Sequence, residues 1–350
     1  MKSPEEMAQL VFSRRDAYLE EITSRRKAVW RRASVITAAV LCTAILGVGG
    51  VLAATLDIGA LFRSVFSSQQ GNALSEAQNT YIETHMADIG DSVSADGYTV
   101  TLKGALTDGT TAHILVDIVG PEGIDLESVS PGFDLTMKGL CYEDQHGISS
   151  VGATFLHLDD HDGKANTVSL NIEYNVYAMP GSNFTLADGR SRTLHLADIG
   201  YVETEYPYAF RHVAEGPWVF KFAFTATGNS ETELLQSPIS GSYSQISGKQ
   251  VKATIHSVMM KGLSATVYYT LDAHEVQEAG DFGAIRFVMN DGSELFAYPD
   301  KAGQTAEISN GELIPGSNCH YCTYVFPAPI NSDDVDTVYI GESAIKISHP

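Results

Sequence analysis

The chain has 350 residues and a formal net charge of −21, an excess of acid that argues against an exterior made for nucleic acid. The charge is uneven: residues 1–32 carry eight Lys/Arg against five Asp/Glu, which leaves 14 against 38 for the rest of the chain. Residues 57–350 are long enough for about two domains.

In chain order, Ser3-Pro4-Glu5-Glu6 reads as a helix start. Ser3 can cap, Pro4 suits the first helical position, and Glu6 completes a capping box. Met7, Leu10, Val11, Tyr18 and Ile22 then recur near helical spacing, opposite a face that holds Asp16, Glu20, Glu21, Arg25 and Arg26. This predicts an amphipathic helix within residues 1–32. Such a helix cannot bury its stripe against itself. It needs either the inner leaflet, helped by its basic end, or a protein groove.

Residues 33–56 contain no charge. About 20 apolar residues suffice to cross a bilayer core, and basic flanks stay cytoplasmic. Arg25, Arg26, Lys27, Arg31 and Arg32 stand before the run and Asp57 follows it, so the expected orientation is N-terminus inside. A cleaved signal peptide is the rival, with Val51-Leu52-Ala53 as a small-residue site. The residues ahead of the run and its length favour an uncleaved anchor. Cys42 follows Leu41 where a lipoprotein would place a small residue, and reads as part of the spanning helix. Ala39, Thr43 and Gly47 stand at four-residue steps, a ridge that permits close helix pairing and hence a homodimer.

Residues 61–92 have weak periodicity, and 57–92 are expected to form a juxtamembrane stalk that also begins the first domain, with 67–72 as a loop and 74–86 as a short helix. From Val93 onward the signals are strands and turns. Residues 98–103 alternate, Asp108-Gly109 turns, and Ala112, Ile114, Val116 and Ile118 share one face of the next strand. Asp162-Gly163 and Asp188-Gly189 mark further hairpins, the latter between strands at 184–186 and 193–196. Trp218, Phe220, Phe222 and Phe224 face one way, with Lys221 and Thr225 on the other, as in a core strand of a sheet with one wet face. Strands follow at 251–258, 263–271, 321–326 and 337–347, and Asn290-Asp291-Gly292-Ser293 links a hairpin.

The segment from Thr101 to Ile114 aligns without gaps on Thr254 to Val267, matching Thr101 to Thr254, Leu102 to Ile255, Gly109 to Gly262, Ala112 to Ala265 and Ile114 to Val267. This echo supports two similar units. The fold class expected is mainly β: two tandem Ig-like β-sandwich domains, 93–240 and 241–350, outside the membrane, preceded by the cytoplasmic helix (1–32) and the transmembrane helix (33–56).

Motifs with chemistry are few. In His157-Leu-Asp-Asp-His-Asp-Gly163, Leu158 occupies the would-be first calcium position and Ser169 the twelfth, so a hairpin turn is the better reading. Cys319-His320-Tyr321-Cys322 has no second ligand pair for zinc and lies in a predicted strand. A local disulfide or two thiols fits better than a redox site, with Cys141 as a competing partner. No G-x-S-x-G, H-E-x-x-H, P-loop or dinucleotide-binding pattern occurs, so neither an enzyme nor a cofactor is expected. Tyr206 and Tyr208, in a Tyr-Pro-Tyr loop, form a candidate ligand face.

The run Asp91-Ser-Val-Ser-Ala-Asp-Gly-Tyr-Thr-Val-Thr-Leu-Lys-Gly-Ala-Leu-Thr-Asp-Gly-Thr-Thr-Ala-His-Ile-Leu-Val-Asp117, followed by Gly120-Pro-Glu-Gly123, resembles a Firmicute domain of unknown function, the one numbered 4179. The resemblance spans residues 45–125 and the rest by layout. It implies a short cytoplasmic start, one spanning helix and an outer β-rich region, often encoded beside extracytoplasmic-function sigma factors and in some cases anti-sigma-like. It carries no catalytic residues. Residues 1–32 contain neither His nor Cys, unlike a zinc-binding anti-sigma domain, which would place any sigma-factor contact on a simpler helix.

The function expected from all of this is a single-pass regulator of the cell envelope. Its outer domains would bind an unknown envelope ligand, and Met7, Leu10, Val11, Tyr18 and Ile22 would contact a sigma factor or membrane lipid. The alternative is a membrane-anchored extracellular binding or adhesion module with no signalling role.

Overall fold

The computed structural model describes residues 58–128, 131–138, 148–158, 163–178, 184–202, 210–225, 231–244, 250–272, 285–297, 312–313, 319–341 and 343–347. The amphipathic stretch and the charge-free run at 33–56 lie outside these. Among the described residues no helix is long and apolar enough to cross a membrane. Residues 57–350 form one compact unit.

That unit is mainly β. Helices α1 (Ile58–Gln70) and α2 (Glu76–His85) precede β1 (Met86–Ala95), β2 (Tyr98–Thr107), β3 (Thr111–Val119), β4 (Gly132–Lys138), β5 (Ile148–Leu158), β6 (Thr167–Ala178), β7 (Ser191–Val202) and β8 (Phe210–Ala223). Then come β9 (Thr232–Glu233), β10 (Ile239–Ser244), β11 (Gln250–Met260), β12 (Ser264–Leu271), β13 (Ile285–Met289), β14 (Glu294–Phe296), β15 (Glu312–Leu313), β16 (Cys319–Val325), β17 (Val335–Ile340) and β18 (Ser343–Lys346). Among the described residues the strands form four antiparallel sheets. Their orders are β1-β2-β3-β6-β5, β4-β7-β8, β10-β11-β12-β16-β15 with β9 also on β11, and β14-β13-β17-β18.

Each pair of sheets closes on one core. Val100, Ile114 and Leu170 of the first sheet meet Leu194, Trp218 and Phe220 of the second. Val251, Val267 and Tyr324 of the third meet Phe287, Val338 and Ile340 of the fourth. This is two-layer packing, in which inward residues of facing sheets interdigitate. Alternation explains it: Ala112, Ile114, Val116 and Ile118 are all in the first core, as are Trp218, Phe220, Phe222 and Phe224. The hairpin at Asn290–Ser293 joins β13 to β14, as its turn residues require. One expected strand is absent: residues 184–187 are irregular, because the Leu186 N–H is drawn to the Gly109 carbonyl oxygen (2.8 Å) rather than into a ladder.

The echo is structural as well as sequential. The β2–β3 and β11–β12 pairs each carry one bulge, at Lys103 between Leu102 and Gly104 and at His256 between Ile255 and Ser257. Each bulged side chain reaches the equivalent residue across the pair. Lys103 Nζ lies 2.5 Å from Asp117 Oδ2, and His256 Nε2 lies 2.9 Å from Thr270 Oγ1. Both turns are held alike: the Gly109 and Gly262 carbonyls accept from the Leu186 and Ile330 N–H groups, each at 2.8 Å. The third sheet therefore repeats the order of the first, with β10, β11, β12, β16 and β15 standing for β1, β2, β3, β6 and β5.

Candidate coupling site at the helix–hairpin junction

In the region expected as a stalk, the short helix expected at 74–86 is present as α2, α1 precedes it, and both are seated on the outer face of the first sheet. Ile58, Leu61, Phe62, Val65 and Phe66 fall at i, i+3, i+4, i+7 and i+8, one stripe of a helix. Gly71, at φ +76°, ends α1 with its N–H on the Ser67 carbonyl (2.9 Å). Ser75 caps α2 through a reciprocal box with Gln78, whose Nε2 also donates to Gln70 Oε1 at 2.9 Å and so ties the helices together. Phe62, Val65, Phe66 and Ile82 are fully buried in a third cluster with Leu106 and Leu115. β3 is therefore covered on both faces, with Ala112 and Ile114 in one core and Leu115 in the other.

Two glycines make the fit close. A Cβ on Gly104 would sit 2.7 Å from Ile58 Cγ2 and 2.9 Å from the Ala87 carbonyl oxygen, so the missing side chain is the seat of the first residue of α1. A Cβ on Gly262 would collide with the hydroxyl end of the Tyr81 ring. Leu263 and Ala328 complete the apolar cluster, so the helix pair touches the β11–β12 turn as well as the first sheet.

The two echoing turns meet here. Asp108, 7% exposed, accepts four hydrogen bonds. Its Oδ1 takes the Thr110 and Thr111 N–H groups, each at 2.8 Å, and its Oδ2 takes the Leu263 N–H (3.0 Å) and the Ser264 hydroxyl (2.7 Å). In return Lys261 Nζ donates to Thr110 Oγ1 at 2.7 Å. A buried carboxylate needs this many donors to offset lost hydration.

Ionisable groups at the junction are shifted by burial. Tyr81 and His85 stack with centroids 3.8 Å apart and planes 10° from parallel. Burial raises the Tyr81 phenol well above 10, and the negative charge of Asp108 adds to it. Burial lowers the His85 pKa, against the opposing pull of its bond to the Tyr81 carbonyl and of Asp108. His113, on β3 beneath α1, has no exposed surface and its pKa falls to about 4, because burial outweighs its bond to Asn171 and the attraction of Asp108. Its Nδ1 lies 3.1 Å from Asn171 Nδ2, and Phe66 packs edge-on to the ring at 4.7 Å.

Chemically, these groups fasten one turn to the other. The polar atoms of Asp108, Lys261, Thr110 and Ser264 are engaged with one another, and among the described residues no three His, Cys, Asp or Glu side chains gather as a metal site would need. Met7, Leu10, Val11, Tyr18, Ile22, Ala39, Thr43, Gly47, Tyr206 and Tyr208 all lie outside the described residues. His157 is on β5, at the start of the acidic motif whose residues 159–162 are outside too. Cys319 and Cys322 are not joined to each other: they pair opposite Thr270 and Val267 on a regular strand, where residues three apart point to opposite faces. Burial raises the Cys319 thiol pKa, the reverse of what a redox nucleophile needs.

From the sequence Asp108 reads only as a turn residue, and Lys261 is not singled out. The signal was present in the echo itself, which aligns an acid in one turn with a base in the other. No protein-family model and no curated protein matches the chain. A crystal structure of a conserved domain protein from Bacillus anthracis is similar at 13% identity and a TM-score of 0.46, over 79% of this chain and 82% of that one.

Proposed function

We propose that the chain is a single-pass envelope regulator, in which two tandem Ig-like β-sandwiches outside the membrane report to the cytoplasmic helix through the junction of α1, α2 and the paired turns. The observation that carries this reading is the seating of α1. It begins at Ile58, directly after the charge-free run, and is buried with α2 in one cluster that takes in Leu106 and Leu115 of the first sheet and Leu263 and Ala328 of the second half. A simple tether needs no such seat. A helix clamped to both halves can pass a change in either of them toward the membrane. On this reading Met7, Leu10, Val11, Tyr18 and Ile22 bind an extracytoplasmic-function-type sigma factor, and Ala39, Thr43 and Gly47 pack a homodimer.

The test is co-purification of a sigma factor with the full chain, compared with a chain lacking residues 3–24. Capture that the deletion abolishes supports the regulator. No capture at micromolar concentrations, with an unchanged phenotype in the deletion, would leave the anchored binding or adhesion module as the better account.

A further inference from the structure

His113 is an ionisable side chain used by none of the contacts that fasten the junction. It has no exposed surface, and its Nε2 finds no hydrogen-bond partner among the described residues, as is also true of Asn171 Oδ1 beside it. On the sheet side it is enclosed by Leu106 of β2 and by Asn171 and Glu173 of β6, all locked into ladders. On the other side it meets Phe66 of α1. The helix pair is held on the sheet by apolar contact, Phe62, Val65 and Phe66 against Leu106, Leu115 and Leu156. Displacement of α1 would open this face of the imidazole to water without breaking either ladder.

We infer that His113 is a proton-operated release for the helix pair: protonation lifts α1 and α2 from the first sheet and uncouples the segment next to the charge-free run from both β-rich halves. The surrounding ionisable groups are Asp108 from the β2–β3 turn, Glu173 opposite on β6, and Arg63, Glu76, Tyr81, Glu83 and His85 on the helices, of which Arg63 and Glu83 form an exposed ion pair at 3.5 Å. Asp108 favours the charged imidazole, and burial opposes it more strongly. The inference goes beyond the regulatory reading and stands without it, since it needs neither a membrane span nor a cytoplasmic partner.

The sign follows from linkage. The closed state holds His113 neutral down to about pH 4, whereas in an opened state it regains its ordinary 6.5. The closed state is thus fully favoured above pH 6.5 and loses ground as pH falls toward 4. Relative to pH 8, opening rises about fourfold at pH 6 and about 30-fold at pH 5.

Hydrogen exchange on the full chain, expressed as protection relative to the intrinsic rate at each pH, reads this directly. The expected result is a fall of about 30-fold in protection of residues 58–85 between pH 8 and pH 5, with β7 and β8 unchanged, and no such fall in His113→Leu. An equal fall in His113→Leu, which keeps His85, would overturn the inference, as would constant protection in the wild type. Should His113→Leu not fold, 15N-histidine spectra of the wild-type chain decide. An imidazolium signal for His113 that arises together with loss of helix protection supports the release, and one that arises while α1 stays protected refutes it.

Discussion

Replacing Asp108 with alanine tests whether the paired turns hold the two halves together. The carboxylate serves four donors, two within its own turn and two from the β11–β12 turn. They do not weigh equally. The Ser264 hydroxyl can rotate toward another acceptor, and Thr110 is partly exposed, so water can serve its N–H. The N–H groups of Thr111 and Leu263 belong to residues with no exposed surface. Each buried donor left unmade costs about 1–3 kcal/mol, which puts Asp108→Ala at about 2–6 kcal/mol. Asp108→Asn keeps one carbonyl oxygen for its own turn but sets an amide donor against the Leu263 N–H, and should cost about half as much. Urea unfolding followed by circular dichroism measures both variants. A cycle with Ser264→Ala should show a coupling of at least 0.5 kcal/mol, the lower end for residues in one network. A loss under 1 kcal/mol for Asp108→Ala, with strictly additive effects in the cycle, would refute the idea that this carboxylate joins the halves.

Other substitutions probe the helix seat. Gly104→Ala should cost about 1–3 kcal/mol by overpacking, because its Cβ would press on Ile58 and on the rigid Ala87 carbonyl, and hydrogen exchange should show the loss in the first turn of α1. Gly262→Ala should displace the Tyr81 ring and break its stack on His85, which near-ultraviolet circular dichroism would register as a changed tyrosine signal. Phe66→Ala should cost about 3–5 kcal/mol in thermal or urea unfolding and open a void beside His113. Peptide mapping without reductant should find no Cys319–Cys322 crosslink, and alkylation at pH 7 should leave buried Cys322 unmodified.

The strands were legible wherever one physical signal was enough. The four alternating aromatics from Trp218 to Phe224 and the Asn290–Ser293 turn needed only pleat and turn chemistry. Helix α1 was missed although its apolar residues stand at helical spacing, since the Ser- and Gln-rich 67–70 that finish it read as loop. The outer face of β3 was not legible for a different reason. Alternation assigns Ala112 and Ile114 to a core, but it cannot say that helices from elsewhere in the chain will cover His113 and Leu115. The same limit applies to Asp108. An Asp-Gly pair announces a turn, and only the docked fold shows that half of its hydrogen bonds go to residues more than 150 positions away.

The contact between the paired turns has a property that usually belongs to two molecules. Asp108 aligns with Lys261, Thr110 with Leu263 and Thr111 with Ser264, so the Asp108–Leu263 and Lys261–Thr110 bonds join equivalent pairs of positions, though through different groups. That is the isologous pattern of a two-fold homodimer, built inside one polypeptide. An isologous contact is self-limiting: once made, it leaves no complementary copy of itself to recruit another chain. The two turns also carry opposite charges at equivalent positions, acid in one and base in the other, which a symmetric pair of identical chains could not do. While the two turns are bound to each other, the groups of Asp108, Lys261, Thr110 and Ser264 that join them are taken.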